Sequence, residues 1–331
     1  MQSCCRCSGS IVFVFLLLWS LPAWAAPHLL TLDHPLRLSF TGFASSLAVV
    51  GDLDGDGVAD YLVGAYEHYW QANVNQGRAF VFSGQSGKLL LTLDLPSPQP
   101  GAAFGSAVAT TGDINRDGVP DLLIGAFGQS GSGEAFVFSG KTGTLLHTLQ
   151  APRRQYGAGF GWSVATLGDL TGDRVPELLV GAFAQEGEGR VFVFDGQTGK
   201  VLRTLAPPPP LESMAFGWSV ANAGDLDQDG SPDVLVGAPY TPVGEISVQG
   251  RVFAFSGRTG KLLYALTDPF PQAGEGFGWR VASARDLNGD GVPDILIGAP
   301  YKTGEGTRSE GAVFVFNGAD GSLLFSLRNP G

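Results

Sequence analysis

The chain has 331 residues, 44% hydrophobic and only 15% charged, with 49 Gly, 21 Pro, 22 Phe and a formal net charge of −11. So acidic a chain repels phosphate backbones and anionic lipid, which proteins hold through Lys and Arg, and this excludes nucleic acid and anionic membranes as partners. Turn formers, aromatic residues and the absence of any long amphipathic helix pattern point to an all-β protein.

At the N-terminus, Arg6 precedes an apolar run over 11–21, and Ala23-Trp24-Ala25 supplies a small-x-small sequence. This predicts a signal peptide over residues 1–25, cleaved after Ala25, and therefore a secreted, periplasmic or extracellular product. The run is short of the about 20 residues needed to cross a bilayer, and no later stretch reaches that length, so no membrane span is expected in the mature chain. Cys4, Cys5 and Cys7 all leave with the signal, so the mature chain has no disulfide and no cysteine metal site. Arg6 is the one charged residue removed, which leaves a net charge of −12.

Residues 26–331 read as one domain built on a repeat, with copies at about 40–96, 104–150, 160–206, 216–267 and 277–328. Each copy opens with a short apolar strand A, at 104–108, 160–164, 216–220 and 277–281, and in blurred form at 43–47. An acidic loop leads to strand B, which ends in Gly-Ala, as in Gly64-Ala65 and Gly125-Ala126. Strand C carries Phe80 and Phe82, Phe136 and Phe138, Phe192 and Phe194, Phe253 and Phe255, or Phe314 and Phe316. Aromatic side chains at i and i+2 share one face of a strand, which marks them as packing between sheets.

A tight turn precedes strand D, as at 89–93. The Gly-x-Thr-Gly-Lys turns at 196–200 and 257–261 lack the gap and the helix of a phosphate loop and read as hairpins. Four short antiparallel strands per copy predict a β-propeller of five four-stranded blades, whose neighbours must pack and whose ring must close. The Leu-Leu-Thr-Leu-Asp run over 29–33 resembles strand D and is expected to close that ring on the last blade, although that blade encodes a strand D of its own near 323–327.

The A to B loops carry the strongest chemical signal. Loop one offers Asp52, Asp54 and Asp56, the carbonyl of Val58, and Asp60. Loop two offers Asp113, Asn115, Asp117, the Val119 carbonyl and Asp121, and loop three offers Asp169, Thr171, Asp173, the Val175 carbonyl and Glu177. In loop four the set is Asp225, Asp227, Asp229, the Ser231 carbonyl and Asp233, and in loop five Asp286, Asn288, Asp290, the Val292 carbonyl and Asp294. Oxygen donors at positions 1, 3, 5, 7 and 9, with Gly at 6 for the sharp turn, suit a hard cation, and calcium better than the smaller, more strictly octahedral magnesium. Asp and Gly also make ordinary hairpin turns, but these loops gather 17 of the 31 acidic residues, which is repulsive without counter-ions. Loop three departs from the pattern at Thr171, Glu177 and Arg174, the last in the glycine position, and is expected to bind most weakly.

Phe-Gly at 104, 160, 216 and 277, the acidic loops, and Gly-Ala-Pro at 237–239 and 298–300 together resemble the FG-GAP repeat of integrin α-subunit propellers, over about residues 40 to 328. The resemblance implies a propeller with calcium in hairpin loops, and a calcium-binding module for adhesion or for an extracellular protein or glycan ligand. Seven repeats would be expected of an integrin, whereas five are readable here.

No zinc-protease, serine-hydrolase or cysteine-nucleophile motif is present, and His28, His34, His68 and His147 share no motif, so no catalytic residue is assigned. A calcium-dependent polysaccharide lyase is the alternative, though Arg116 and Arg174 are the only bases within the loops. Antiparallel order sends the B to C and D to A loops to the rim opposite the acidic loops. That rim collects Tyr66, His68, Tyr69, Trp70, Tyr156, Tyr240 and Tyr301 as candidate ligand contacts. Trp162, Trp218 and Trp279 stand just inside it, where they either fill the propeller neck or border the surface.

Overall fold

Alternation explains the architecture. In each blade the two Phe of strand C and the apolar residues opposite them in strand B form one face, while the intervening Val, Leu, Ala and Gly form the other. A computed structural model describes residues 31–35, 41–68, 74–209, 215–244, 248–303 and 309–328. Among these residues are five four-stranded antiparallel sheets in simple meander order.

Blade one comprises β1 (Phe43–Gly51), β2 (Asp60–Ala65), β3 (Arg78–Phe82) and β4 (Leu89–Leu93). Blade two follows with β5 (Phe104–Gly112), β6 (Asp121–Ala126), β7 (Glu134–Phe138) and β8 (Leu145–Leu149). Blade three has β9 (Phe160–Gly168), β10 (Glu177–Ala182), β11 (Arg190–Phe194) and β12 (Val201–Leu205). Blade four has β13 (Ser219–Gly224), β14 (Asp233–Ala238), β15 (Arg251–Phe255) and β16 (Leu262–Leu266). Blade five has β17 (Arg280–Ser283), β18 (Ile295–Ala299), β19 (Ala312–Phe316) and β20 (Leu323–Arg328).

Two strand starts differ from expectation. β13 and β17 begin at Ser219 and Arg280 rather than at Phe216 and Phe277. There the amides of Gly217 and Trp218 share the Gly237 carbonyl, and those of Gly278 and Trp279 share the Gly298 carbonyl, which ends the regular ladder. These are the two blades whose strand B runs into proline, at Pro239 and Pro300, which redirects the chain.

The core lies between blades. The Leu62, Ala79, Val81 and Leu93 face of blade one packs on Phe104, Ile124, Phe136 and Phe138 of blade two, and the same arrangement recurs down to blade five. Glycine is required where blades meet: a Cβ on Gly125 would lie 2.0 Å from the Gly161 carbonyl oxygen of the next blade. The innermost strands β1, β5, β9, β13 and β17 line a central cavity of about 280 Å³.

The expected ring closure is not found. Among the described residues no sheet and no apolar cluster joins blade five to blade one. Residues 31–33 form no strand, and Leu32 packs on Tyr61, Val63, Phe80 and Phe82 of blade one instead of extending the last blade. The last blade's outer position is already taken by β20. The predicted signal peptide lies outside the described residues. No helix among the described residues is long and apolar enough to cross a membrane.

Candidate metal-binding loops and the opposite rim

All five acidic loops sit at one rim, beside the C to D turns. The loops fold around their own carboxylates. In loop one, Asp52 accepts from the amides of Gly55 at 2.7 Å, Asp56 at 3.1 Å and Gly57 at 2.8 Å. The Asp54 carboxylate accepts from the Asp56 amide, and the Asp56 carboxylate from the Val58 amide. Loops two, four and five repeat this pattern from Asp113, Asp225 and Asp286.

Position 9 is buried and spans two turns. Asp60, Asp121, Asp233 and Asp294 are each 0% exposed. One oxygen of each accepts from the second loop residue, Leu53, Ile114, Leu226 or Leu287. The other accepts from the turn amides of Gly84, Gly140, Gly257 and Gly318. Burial pushes Asp233 up to about 6, against the amide hydrogen bonds of Gly257 and Leu226 that pull it down. Burial likewise raises Asp121. Asp286 is lowered, first by the Gly291 amide.

Loop three keeps the same path despite its sequence. Arg174 adopts φ +69° where Gly57 has +87°, and its amide reaches Asp169 at 2.7 Å. Glu177 is 1% exposed; its Oε2 takes the Leu170 amide, but its buried Oε1 has no hydrogen-bond partner. A buried carboxylate oxygen without a partner, in a residue grouped with the Asp169 and Asp173 carboxylates, is a donor that a hard cation satisfies. Ligand atoms within 4.8 Å of one another are found in Asp52, Asp54 and Asp60, in Asp169, Asp173 and Glu177, and in Asp225, Asp227 and Asp229. Loops two and five have Asn115 and Asn288 in place of one of those carboxylates.

Basic groups from neighbouring turns offset part of the charge. The Arg258 Nε lies 3.0 Å from Asp229, Arg116 donates to the Asp173 carbonyl at 3.1 Å, and Lys141 to that of Asp117 at 3.2 Å. Sequence reading missed the C to D glycines and the Ser83 and Ser139 hydroxyls, which reach Asp56 and Asp117 at 3.4 and 3.3 Å. The signal was present, since a glycine stands two residues after the second Phe of every strand C.

On the opposite rim the aromatic residues form a continuous row. Trp162 and Trp218 have ring centres 4.6 Å apart, and Trp218 and Trp279 are 4.9 Å apart. Tyr240 packs edge-on between Trp218 and Trp279 at 5.3 and 5.9 Å, and Tyr301 stands on Trp279 at 5.3 Å. Phe127 and Phe183, which sequence reading missed, flank Trp162 at 4.9 and 5.0 Å. The three Trp form one half-buried row at the neck, and Tyr301 is 48% exposed beside them. Tyr156 is 91% exposed and lies apart, over Gly131. Tyr66 donates to Glu67 at 2.8 Å, and Tyr69 and Trp70 lie outside the described residues. His68 is not a rim residue: it is 0% exposed and stacked on His34 at 5.1 Å. Burial, then the charges of His34 and Arg78, push it down to about 4.

Meander blades packed in series, with acidic loops at one rim and an aromatic neck at the other, define a β-propeller with cation-competent hairpin loops. The profile of the FG-GAP repeat matches residues 216–255 and 277–316, and that of the FG-GAP-like repeat matches 52–124 and 113–180. The chain belongs to the FG-GAP repeat family, of the kind found in integrin α subunits.

It is 30% identical over 278 residues to integrin alpha pat-2 of Caenorhabditis briggsae, covering 82% of this chain and 18% of that protein. Identity to human integrin alpha-IIb is 32% over 243 residues, 67% of this chain and 22% of the relative. Integrin alpha-4 of Xenopus laevis is 28% identical over 246 residues, 70% of this chain and 22% of the relative. The chain thus spans about a fifth of the length of these relatives.

Proposed function

We propose that this chain is an exported calcium-binding propeller that acts as an adhesion or ligand-binding module for an extracellular protein or glycan, and not as an enzyme. The observation that supports this most directly is the recurrence of one acidic loop fold at five equivalent places, with a buried position 9 carboxylate in each. Calcium would be held by the carboxylates and side-chain amides at positions 1, 3, 5 and 9, with the Thr171 hydroxyl at position 3 of loop three and the carbonyl at 7, and it supplies the charge that offsets their mutual repulsion. Five ions would take the net charge of the mature chain from −12 to about −2.

The chain's own residues do the rest. In loops one, two, four and five, position 9 fastens the A to B loop to its C to D turn, so an ion held there braces two turns at once. On the other rim, Tyr240 and Tyr301 present rigid amphipathic rings backed by the tryptophan row, a surface suited to sugar faces or extended peptide. Export rests on the pattern of residues 1–25.

The test is a thermal melt in chelator and in millimolar calcium, followed by a glycan and protein screen in both conditions. Calcium is expected to raise the midpoint by mass action. Identical melts would remove the calcium half of the proposal. Full retention of a screened ligand by Tyr240→Ala and Tyr301→Ala proteins would remove the aromatic rim as its site.

A further inference from the structure

We propose that the outward face of blade five is an unfilled blade socket, and that its occupant is blade one of a second copy of this chain. Four interfaces within the molecule show what such a face receives. At each, two glycines lie flat against the Phe-Gly edge of the following blade. A Cβ on Gly64, Gly125, Gly181 or Gly237 would meet the next blade's Gly105, Gly161, Gly217 or Gly278 carbonyl oxygen at 2.0 to 2.2 Å. A Cβ on Gly77, Gly133, Gly189 or Gly250 would meet the carbonyl oxygen of the Phe before it at 2.0 to 2.1 Å.

Blade five keeps both glycines, yet among the described residues no other blade lies against them. The nearest atom to a Cβ on Gly298 is the Arg280 carbonyl oxygen of its own blade at 3.7 Å, and for Gly311 it is that of Pro300 at 3.4 Å. The apolar residues around them are exposed to match. Leu93, Leu149, Leu205 and Leu266 are 0 to 5% exposed, whereas Leu327 in the same place is 56% exposed. Val313, the counterpart of the fully buried Val191 and Val252, is 37% exposed. Together with Trp279 and Arg280 these residues border a cleft of about 430 Å³. Leaving such a face in water forgoes the burial that every other blade obtains.

The complementary edge is in the chain. Four of the five leading edges are engaged internally, while Phe43-Ala44 of blade one has no blade before it among the described residues. Ala44 holds φ +63°, the left-handed conformation in which Gly105 and its equivalents present their carbonyls. What lies against blade one is the segment of Leu32 and His34: Leu32 precedes Phe43 by the same 11 residues that separate Leu93 from Phe104, and His34 packs on Phe43 and Phe80 at 5.4 and 5.3 Å, so that Phe80 and Phe82 are buried. Docking therefore displaces the Leu32 and His34 segment from blade one and seats Leu327 of the second copy in the place of Leu32. The contact joins two different surfaces, so it is heterologous and can propagate.

Sedimentation equilibrium on the full chain at physiological ionic strength, over a range of micromolar concentrations, tests this. The wild-type mass is expected to rise with concentration. Gly298→Val folds normally, because its Cβ makes only ordinary contact with Arg280 of its own blade, but obstructs the incoming carbonyl and weakens association by about tenfold or more. Mixed with labelled wild type, it still joins the assemblies through its intact blade one. Leu327→Asp, exposed in the monomer, gives the same loss with an unchanged melt. A wild type that stays monomeric throughout overturns the proposal. So does association that Gly298→Val leaves intact, which places the contact away from blade five, or a Gly298→Val chain that cannot join wild type, which indicates two blade five faces meeting back to back.

Discussion

Replacing Glu275 by Gln is expected to stabilise the protein, and only above a particular pH. The connection from β16 to β17 and the B to C loop of blade five meet at Lys302, which is 2% exposed. Its ammonium donates to Asp268 at 2.5 Å, to Glu275 at 2.8 Å and to the Phe270 carbonyl. Asp268 and Glu275 are 3% and 0% exposed, so two carboxylates share one cation out of water. Burial, with the Asp268 carboxylate beside it, pushes Glu275 from its ordinary 4.5 up to about 7.

A carboxyl raised in the folded state binds its proton there while the unfolded chain has already released it. Stability is therefore fully present below about 4.5 and is lost as pH rises through about 7. Each pH unit by which the carboxyl is raised corresponds to about 1.4 kcal/mol, or roughly 2 to 3 °C in melting temperature for a chain of this size. Gln mimics the protonated acid, its carbonyl accepting from Lys302 and its amide facing Asp268. The two proteins should melt together near pH 4 and diverge by pH 8, with the Gln variant higher, in saturating calcium so that the loop aspartates contribute equally to both. A Gln variant that is less stable at pH 8, or an offset independent of pH, would refute the reasoning.

Three other outcomes follow from the packing and the loops. Gly125→Val places a side chain within about 2 Å of the Gly161 carbonyl and should cost about 3 kcal/mol or more in denaturant unfolding, whereas Gly298→Val on the open face should cost almost nothing. Arg174→Gly keeps the turn and its amide bond to Asp169 while removing a cation and a strained φ, so calorimetric titration should show tighter calcium binding at loop three. Trp218→Ala removes the centre of the aromatic row and should lower stability by about 2 to 3 kcal/mol, while Tyr240→Ala should leave the melt nearly unchanged and weaken ligand binding.

Much of this was legible because the repeat states each rule five times. Phe-x-Phe fixed the faces of strand C, and the acidic loops announced their own positions 1 to 9. What stayed hidden lies where the repeat is broken by a single residue with a distant partner. Lys302, Asp268 and Glu275 replace uncharged residues at most of the equivalent places, and nothing in one strand's pattern says that they meet. His34 and His68 share no motif, yet the N-terminal segment lays one ring on the other. Loop three looked defective because a side chain replaces glycine, but Arg174 accepts the left-handed conformation and the loop closes as its neighbours do. Ring closure was inferred from the general need to bury both faces of every blade, a need that sequence cannot assign to a particular neighbour.

The central claim is that the five loops are calcium sites, and a count of bound calcium tests it most directly. Equilibrium titration of the chelator-stripped chain should give four to five ions per chain, with dissociation constants of about 10⁻⁴ to 10⁻³ M, and Asp56→Ala should lower the count by one. A chain that takes up no calcium in that range, or a count that Asp56→Ala leaves unchanged, would contradict the account.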